Sequence, residues 1–322
     1  SMLYLNSTGF TADSTGTGDF IYMAIKRGSL FSPEAATEVF AMDTYGSTTP
    51  RPPAFKSGFP VDFAFWKNTS DNWQVGSRLT QGKRLFFTSA AEHTSGNEKY
   101  DYQTGYINDT YVDSSINGWM WKRAPSFFDV VCWDTESTSD RRLKHNLGVP
   151  PEMAWIKMRP ASPYTSSNYW YVYHTGTANK YMYLQSNDDT FASDLFTAPH
   201  SATEFGIDEG SVWAAGSSMI GYFFATLDGV SKVGSVTHSG TTNVDCGFSA
   251  GSRFVLLKRH DANGNWFVWD SLRGLTAAND PYLRLNLTAN QVTGSDYIDP
   301  LSSGFTITSN FTAGDYIFYA IA

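Results

Sequence analysis

Asp134 and Glu136, in the segment CWDTE, stand two residues apart and would share one face of a strand. Two carboxylates on one cleft are what glycoside hydrolysis requires, one as acid and the other as base or nucleophile. Asp208 and Glu209, in FGIDEG, form a second pair. Such pairs are also common on solvated strand edges, and polysaccharide cleavage is the least favoured reading. Ser77, His174 and Asp270 bring the three residue types of a nucleophilic triad to matching positions of three similar segments. A repeated catalytic role would need one chemistry at that position, and no Gly-x-Ser-x-Gly elbow surrounds Ser77. No catalytic residue is therefore assigned, and the chain is read as a non-enzyme. The segments Asn187–Asp189 (NDD) and Asp261–Asn265 (DANGN) carry oxygen ligands of the kind Ca²⁺ takes, but lack the spacing of an EF-hand loop. The Asn-Gly-Asn of the second is first of all a tight hairpin turn. The six histidines show no metal-ligand spacing. No resident metal or cofactor is assigned, with Ca²⁺ the one ion left open.

The aromatic residues offer a different chemistry. Sugar rings present apolar C–H faces that lie against Trp and Tyr, while a few polar groups fix the hydroxyls. Trp133, Tyr164, Tyr169 and Trp213 fall in loops or at strand ends and are the candidate ligand-binding residues. Tyr164 and Tyr169 lie in MRPASPYTSSNY, the longest of three related hairpin turns, and an insertion in one copy of a repeat is where specificity is expected.

These residues hang on a strand–turn–strand unit that occurs three times, at Val61–Ser77, Pro151–His174 and Ser252–Asp270. Aligned on Lys67, Lys157 and Lys258, the copies give matching positions: Phe63, Met153 and Phe254; Phe65, Trp155 and Leu256; and, on the opposite face, Ala64, Ala154 and Val255. Both faces are apolar, the mark of a strand covered on two sides. Trp73, Trp170 and Trp266 open the return strands and are core candidates. The three lysines at the strand ends are expected in solvent, their stems lying on the sheet edge.

Around this unit the chain reads as short strands separated by Gly, Ser, Asn and Asp turns, with no amphipathic helix. The fold class is all-β: tandem jelly-roll-like β-sandwich repeats of about six strands each. Ser7–Gly28 parallels Ser302–Ala322, with Gly9-Phe10-Thr11 matching Gly304-Phe305-Thr306 and Gly18-Asp19-Phe20-Ile21 matching Gly314-Asp315-Tyr316-Ile317. Residues 1–28 are thus the tail of a preceding repeat, followed by repeats over 29–126 (the divergent one), 127–232 and 233–322. The opening Ser1-Met2 reads as an expression remnant, and sequence upstream of it is expected. The 322 residues suffice for a core without disulfides. Cys132 and Cys246, the only cysteines, read as buried thiols. A net charge of −8 without a basic run argues against nucleic acid and anionic membranes as partners, and no apolar run is long enough to span a bilayer. Aromatics reach 16% of residues, while charged residues are only 17%. That balance suits strands and flat contact surfaces.

The segments WMWKRAPSFFDVV, HNLGVPPEMAWIK, WYVYH, CGFSAGSRFVLLKR, NWFVWDSLRG and SSGFTITS with GDYIFYAIA resemble a repeated β-domain family of tail fibre and tail appendage proteins of tailed phages, many from marine hosts. The likeness runs over nearly the whole chain and is best from Trp119 to Ala322. The first copy departs from it, since FPVDFAFWK lacks the Gly-Val-Pro lead-in. The resemblance implies a virion tail component acting outside the cell at the host surface. Its partners would be a host glycan or protein receptor and other tail proteins, and a homotrimer would be in keeping, since phage fibres are often trimeric. It carries no catalytic residues. Two functions follow as expectations: binding of a host-surface glycan, and the alternative of a purely structural spacer or assembly module.

Overall fold

The computed structural model describes residues 3–6, 9–12, 23, 31–46, 53–68, 72–80, 82–88, 94–95, 98–108, 114–136, 138–159, 169–178 and 180–322. The chain is all-β, built from antiparallel sheets and a few 3₁₀ turns. It divides into two compact units, Ser1–Phe31 and Ser32–Ala322.

In the first unit, Leu3–Asn6 pairs with Gly9–Ala12, with Leu3 opposite Ala12 and Asn6 opposite Gly9. The hairpin of Ile298–Leu301 and Gly304–Ile307 has the same register, Ile298 opposite Ile307 and Leu301 opposite Gly304. The Gly-Phe-Thr likeness of the two segments is therefore a likeness of structure. The matching Gly18–Ile21 lies outside the described residues.

Ser32–Ala322 holds three repeats of one plan. In the first repeat the large sheet runs Phe40–Thr44, Asn117–Trp121, Phe63–Lys67, Gln74–Ser77, Lys83–Phe86, Thr94–Ser95. In the second it runs Phe128–Asp134, Ser218–Phe224, Met153–Met158, Tyr171–His174, Tyr181–Tyr183. In the third it runs Ser231–His238, Gly314–Ile321, Phe254–Arg259, Trp266–Asp270, Leu283–Arg284. The last strand of each repeat enters between its first strand and its central one. The register is also shared. Phe63 faces Ser77 and Trp121, Met153 faces His174 and Phe224, and Phe254 faces Asp270 and Ile321. The positions matched by aligning the lysines are thus equivalent positions in three ladders. Each large sheet is backed by a small one, for example Thr242–Asp245, Gly304–Ile307 and Ile298–Leu301 in the third repeat. Among the described residues the repeats hold nine, seven and eight strands rather than six, because the small-sheet strands are two to four residues long and carry little pattern.

Alternation along each central strand sends its side chains to two cores. The outward set packs under the repeat's own small sheet: Ala64 and Trp66 in the first, Ala154 and Ile156 in the second, Val255 and Leu257 in the third. The inward sets of all three repeats meet in one shared core. Across it Phe63 lies 4.5 Å from Tyr222, Phe87 5.2 Å from Trp170, Phe40 5.5 Å from Phe254, and Phe224 5.2 Å from Tyr319, ring centroid to centroid. The repeats are therefore fused, not strung as separate domains, since each lacks a cover for its inner face without the other two.

Three tryptophans close this arrangement in a ring. Trp73 of the first repeat donates its indole N–H to the Arg284 carbonyl of the third, at 2.8 Å. Trp266 of the third donates to Tyr183 of the second at 3.0 Å, and Trp170 of the second to Phe86 of the first at 2.8 Å. Each acceptor is the last residue of the strand beside the return strand, so one contact is used three times in a head-to-tail sense. Replacing any one of these tryptophans with Phe keeps most of the ring packing and takes one hydrogen bond from a half-buried carbonyl, of which only that of Arg284 keeps a second donor among the described residues, the Leu287 N–H at 3.2 Å. The expected loss is about 1–3 kcal/mol at each position, similar for all three, read from urea denaturation midpoints. A loss confined to one variant would refute the threefold equivalence.

The strand-end lysines depart from expectation. Lys67, Lys157 and Lys258 are all buried. Lys67 Nζ donates to the Thr288 carbonyl of the third repeat at 3.0 Å. Lys258 Nζ donates to the carbonyls of Asn187 and Asp188 in the second repeat, at 3.2 and 2.6 Å, and to its own Gly264 at 2.7 Å. The strand end is not a solvated rim because it abuts the next repeat, whose backbone carbonyls replace water around the ammonium. Burial lowers the Lys258 ammonium to about 8. Of the cysteines, Cys246 is buried, with its thiol pushed up to about 12 by burial, and Cys132 is half-buried.

Candidate ligand-binding site

The position occupied by Ser77, His174 and Asp270 has a structural duty. Ser77 Oγ accepts the Leu79 N–H at 3.0 Å, His174 Nδ1 the Gly176 N–H at 2.9 Å, and Asp270 Oδ1 the Arg273 N–H at 3.0 Å. All three side chains are fully buried and cap the turn that follows the return strand. Serine, histidine and aspartate are interchangeable here because each offers a short acceptor, which is why the position tolerates three chemistries.

Three of the four paired carboxylates are likewise committed, while Asp208 keeps a buried Oδ1 without a hydrogen-bond partner among the described residues. Glu209 is buried; it accepts the Trp133 indole N–H at 2.5 Å and the Glu136 N–H at 2.9 Å, and lies 3.6 Å from Arg141. Glu136 is exposed and pairs with Arg141 at 2.8 Å. Asp134 accepts the Ser218 hydroxyl at 2.6 Å. The two segments weighed for Ca²⁺ meet, since Asn187, Asp188 and Gly264 converge on one cation, but that cation is the Lys258 ammonium. Asp261 binds Arg259 through two hydrogen bonds, at 2.7 and 3.1 Å. Among the described residues no three His, Cys, Asp or Glu side chains gather as a metal set.

The candidate aromatic residues separate. Trp213 is buried and packs edge-on against Tyr171 at 5.2 Å, so it is core and not a platform. Its loop folds back because the Trp213 N–H donates to the Glu209 carbonyl at 2.9 Å. Trp133 is half-buried, and its ring lies where a Gly221 Cβ would stand 3.0 Å away. Tyr164 lies outside the described residues. Tyr169 is half-buried, at the rim of an aromatic group, 4.8 Å from Tyr183.

That group marks the surface on which the repeats differ most. Outward from the return strand and its neighbour stand equivalent residues: Gln74, Arg84 and Phe86 in the first repeat, Tyr171, Tyr181 and Tyr183 in the second, Phe267, Tyr282 and Arg284 in the third. In the first repeat Arg84 donates to Gln74 and approaches Glu98 at 3.9 Å, which fills the face with a buried polar network. In the second the tyrosines pack on one another and on Phe191, with the Tyr181 and Tyr183 hydroxyls 3.3 Å apart. Burial raises the Tyr171 and Tyr183 hydroxyls far above the usual tyrosine range, so both stay neutral.

In the third repeat this face opens into a depression of about 190 Å³. Phe267, Tyr282, Tyr297 and Phe311 form its aromatic wall, each within 5.5 Å of the next. Arg284 and the Asn263–Asn265 turn supply polar groups. The wall is held from behind by Asp280, which is buried and accepts the N–H groups of Thr276 and Ile298, both at 3.1 Å. Burial pushes its carboxyl up to about 6. Arg259 lies flat along the rim against Gly264 and Gly314, where a Cβ on either glycine would stand under 3.0 Å from it. The alternation Tyr282-Leu283-Arg284 could have signalled this face in the sequence. Tyr297 and Phe311 come from irregular segments with no such signal.

The chain is thus an all-β protein whose three repeats share one core and diverge on one outer face. Residues 104–322 match the DUF7483 family, described as a domain of unknown function, and the chain belongs to that family. The match takes in the second and third repeats whole and the last two strands of the first. No curated protein matches the chain.

Proposed function

We propose that the chain is a segment of a tailed-phage tail fibre or appendage and that its third repeat holds a host-surface saccharide without altering it chemically. The tail assignment is supported by the resemblance of the repeated segments. The binding reading is carried by one observation, the aromatic-walled depression edged with amide and guanidinium groups. Aromatic faces that meet C–H surfaces, beside a few fixed polar groups, are what a sugar ring requires.

Nine of the ten tryptophans are buried, and that favours the second reading, a spacer or assembly module in which aromatics serve cohesion alone. The two readings part on Tyr297, which is half-buried and stands at the depression. Tyr297→Ala is expected to lower binding of the intact, folded chain to host cells or an immobilised host polysaccharide at least tenfold, with little change in melting temperature. Folded wild-type chain that binds neither surface would sink the binding reading and leave the spacer.

A further inference from the structure

We infer that the depression in the third repeat takes an acidic saccharide, one carrying a carboxylate or sulfate, and that Arg284 is its anion anchor. This inference rests on the saccharide reading above. Two guanidinium groups reach the depression. Arg259 is neutralised by Asp261 through a two-pronged contact, at 2.7 and 3.1 Å. Arg284 is half-buried, and its side chain has no carboxylate or hydrogen-bond partner among the described residues. None of its nitrogens is among the buried, unpartnered ones, so the guanidinium is open to the depression and free to meet an anion supplied from outside. Its planar fork matches the two oxygens of a carboxylate, or two of a sulfate.

The position is also built to be rigid. The Arg284 backbone is held in the ladder opposite Phe267, and its carbonyl receives the Trp73 indole from the first repeat at 2.8 Å. The side chain therefore projects from a fixed point beside Tyr282, and little ordering is needed on binding. Equivalent positions in the other repeats are Phe86 and Tyr183, so the charge belongs to the third repeat alone. The protein as a whole is acidic, at −8, which repels anions in general. Selection of an anionic sugar then depends on this local charge together with the aromatic wall, which a free inorganic anion would not use.

The test is calorimetric titration of the intact chain with three oligosaccharides of equal length: one uncharged, one containing glucuronic acid, and one sulfated. The acidic pair is expected to bind at least tenfold more tightly than the uncharged one. Arg284→Gln should erase that preference, weakening the acidic ligands roughly tenfold to hundredfold while leaving the uncharged one unchanged. Arg284→Lys should recover part of the preference, because the charge stays and the fork is lost. Melting curves confirm that each variant is folded. Equal binding of charged and uncharged oligosaccharides, or a preference that survives in Arg284→Gln, overturns the inference and leaves the saccharide reading standing. Binding of none of the three by folded wild-type chain overturns both.

Discussion

Replacing Asp270 with alanine is expected to lower the free energy of unfolding by roughly 3–5 kcal/mol, the range seen when one partner of a buried ion pair is removed. Asp270 is fully buried where the third repeat meets the first. Its Oδ2 receives the Trp119 indole N–H of the first repeat at 3.0 Å and the Arg273 Nε–H at 2.7 Å, while Arg273 Nη2 lies 2.6 Å away. The Arg273 side chain is only 4% exposed, so it has no water to fall back on when the carboxylate goes. Its remaining supports are the Val268 carbonyl at 3.0 Å and the Trp119 ring 5.5 Å from the guanidinium carbon. The alanine variant therefore buries a positive charge, an unpaired indole N–H and an uncapped turn at once. Asp270→Ala with Arg273→Met removes the charge as well and should regain a good part of the loss, since apolar replacements of buried pairs are well tolerated. Urea denaturation of the two variants decides the matter. A loss under about 1 kcal/mol for Asp270→Ala, or no recovery in the double variant, would show that the network is not what joins the repeats.

The same position shows how far sequence reasoning reaches. Three residue types at Ser77, His174 and Asp270 argue against catalysis, and the capping bonds explain why three types suffice. The register of the central hairpins was legible too, because apolar positions on both strand faces repeat in step from Phe63 to Met153 to Phe254. An apolar face does not say what covers it. That the three inner faces cover one another depends on contacts between residues far apart in the chain, such as Trp73 with Arg284, and no local pattern records them. The burial of the lysines escapes sequence reasoning for the same reason. Lys258 ends a strand, which suggests solvent, yet its acceptors Asn187 and Asp188 lie about seventy residues upstream. The candidate site follows suit. Large aromatics in loops draw attention to Trp213, whose loop folds inward, while the aromatic wall of the depression is assembled from one pair of neighbouring strands and two irregular segments whose only common property is where they end up.

Acid is expected to loosen the junction between the second and third repeats. His174 is fully buried, and burial lowers its imidazole to about 3, with the nearby Phe318 backbone offsetting only part of the effect. A histidine whose folded pKa lies below its unfolded value of about 6.5 gives its full stabilisation above that pH and loses it as pH falls towards the folded value. The window for His174 thus runs from about 6.5 down to about 3. Between pH 6.5 and 5 this one group should remove roughly 2 kcal/mol, at about 1.4 kcal/mol per pH unit. His200, lowered to about 4, and His145 and His260, both lowered by burial, act in the same direction. Asp280 acts the other way. Its carboxyl is raised to about 6, so its protonation below that value favours the folded state and offsets part of the loss. The lowered carboxyls of Asp140, Glu204 and Asp261 begin to lose their contribution only below about pH 4.5, under the range of melts from pH 7.5 to 5. Thermal melts at pH 7.5, 6 and 5 should show a falling midpoint, and His174→Asn, which keeps an acceptor for the Gly176 N–H, should flatten the slope while starting from a lower midpoint because of the space it leaves. A wild-type midpoint that is constant from pH 7.5 to 5, or a slope unchanged in His174→Asn, would mean that the buried imidazole is not what ties this junction to pH. Loss of the second-to-third contact should precede loss of the first-to-third one, which Asp270 and Arg273 hold without a histidine.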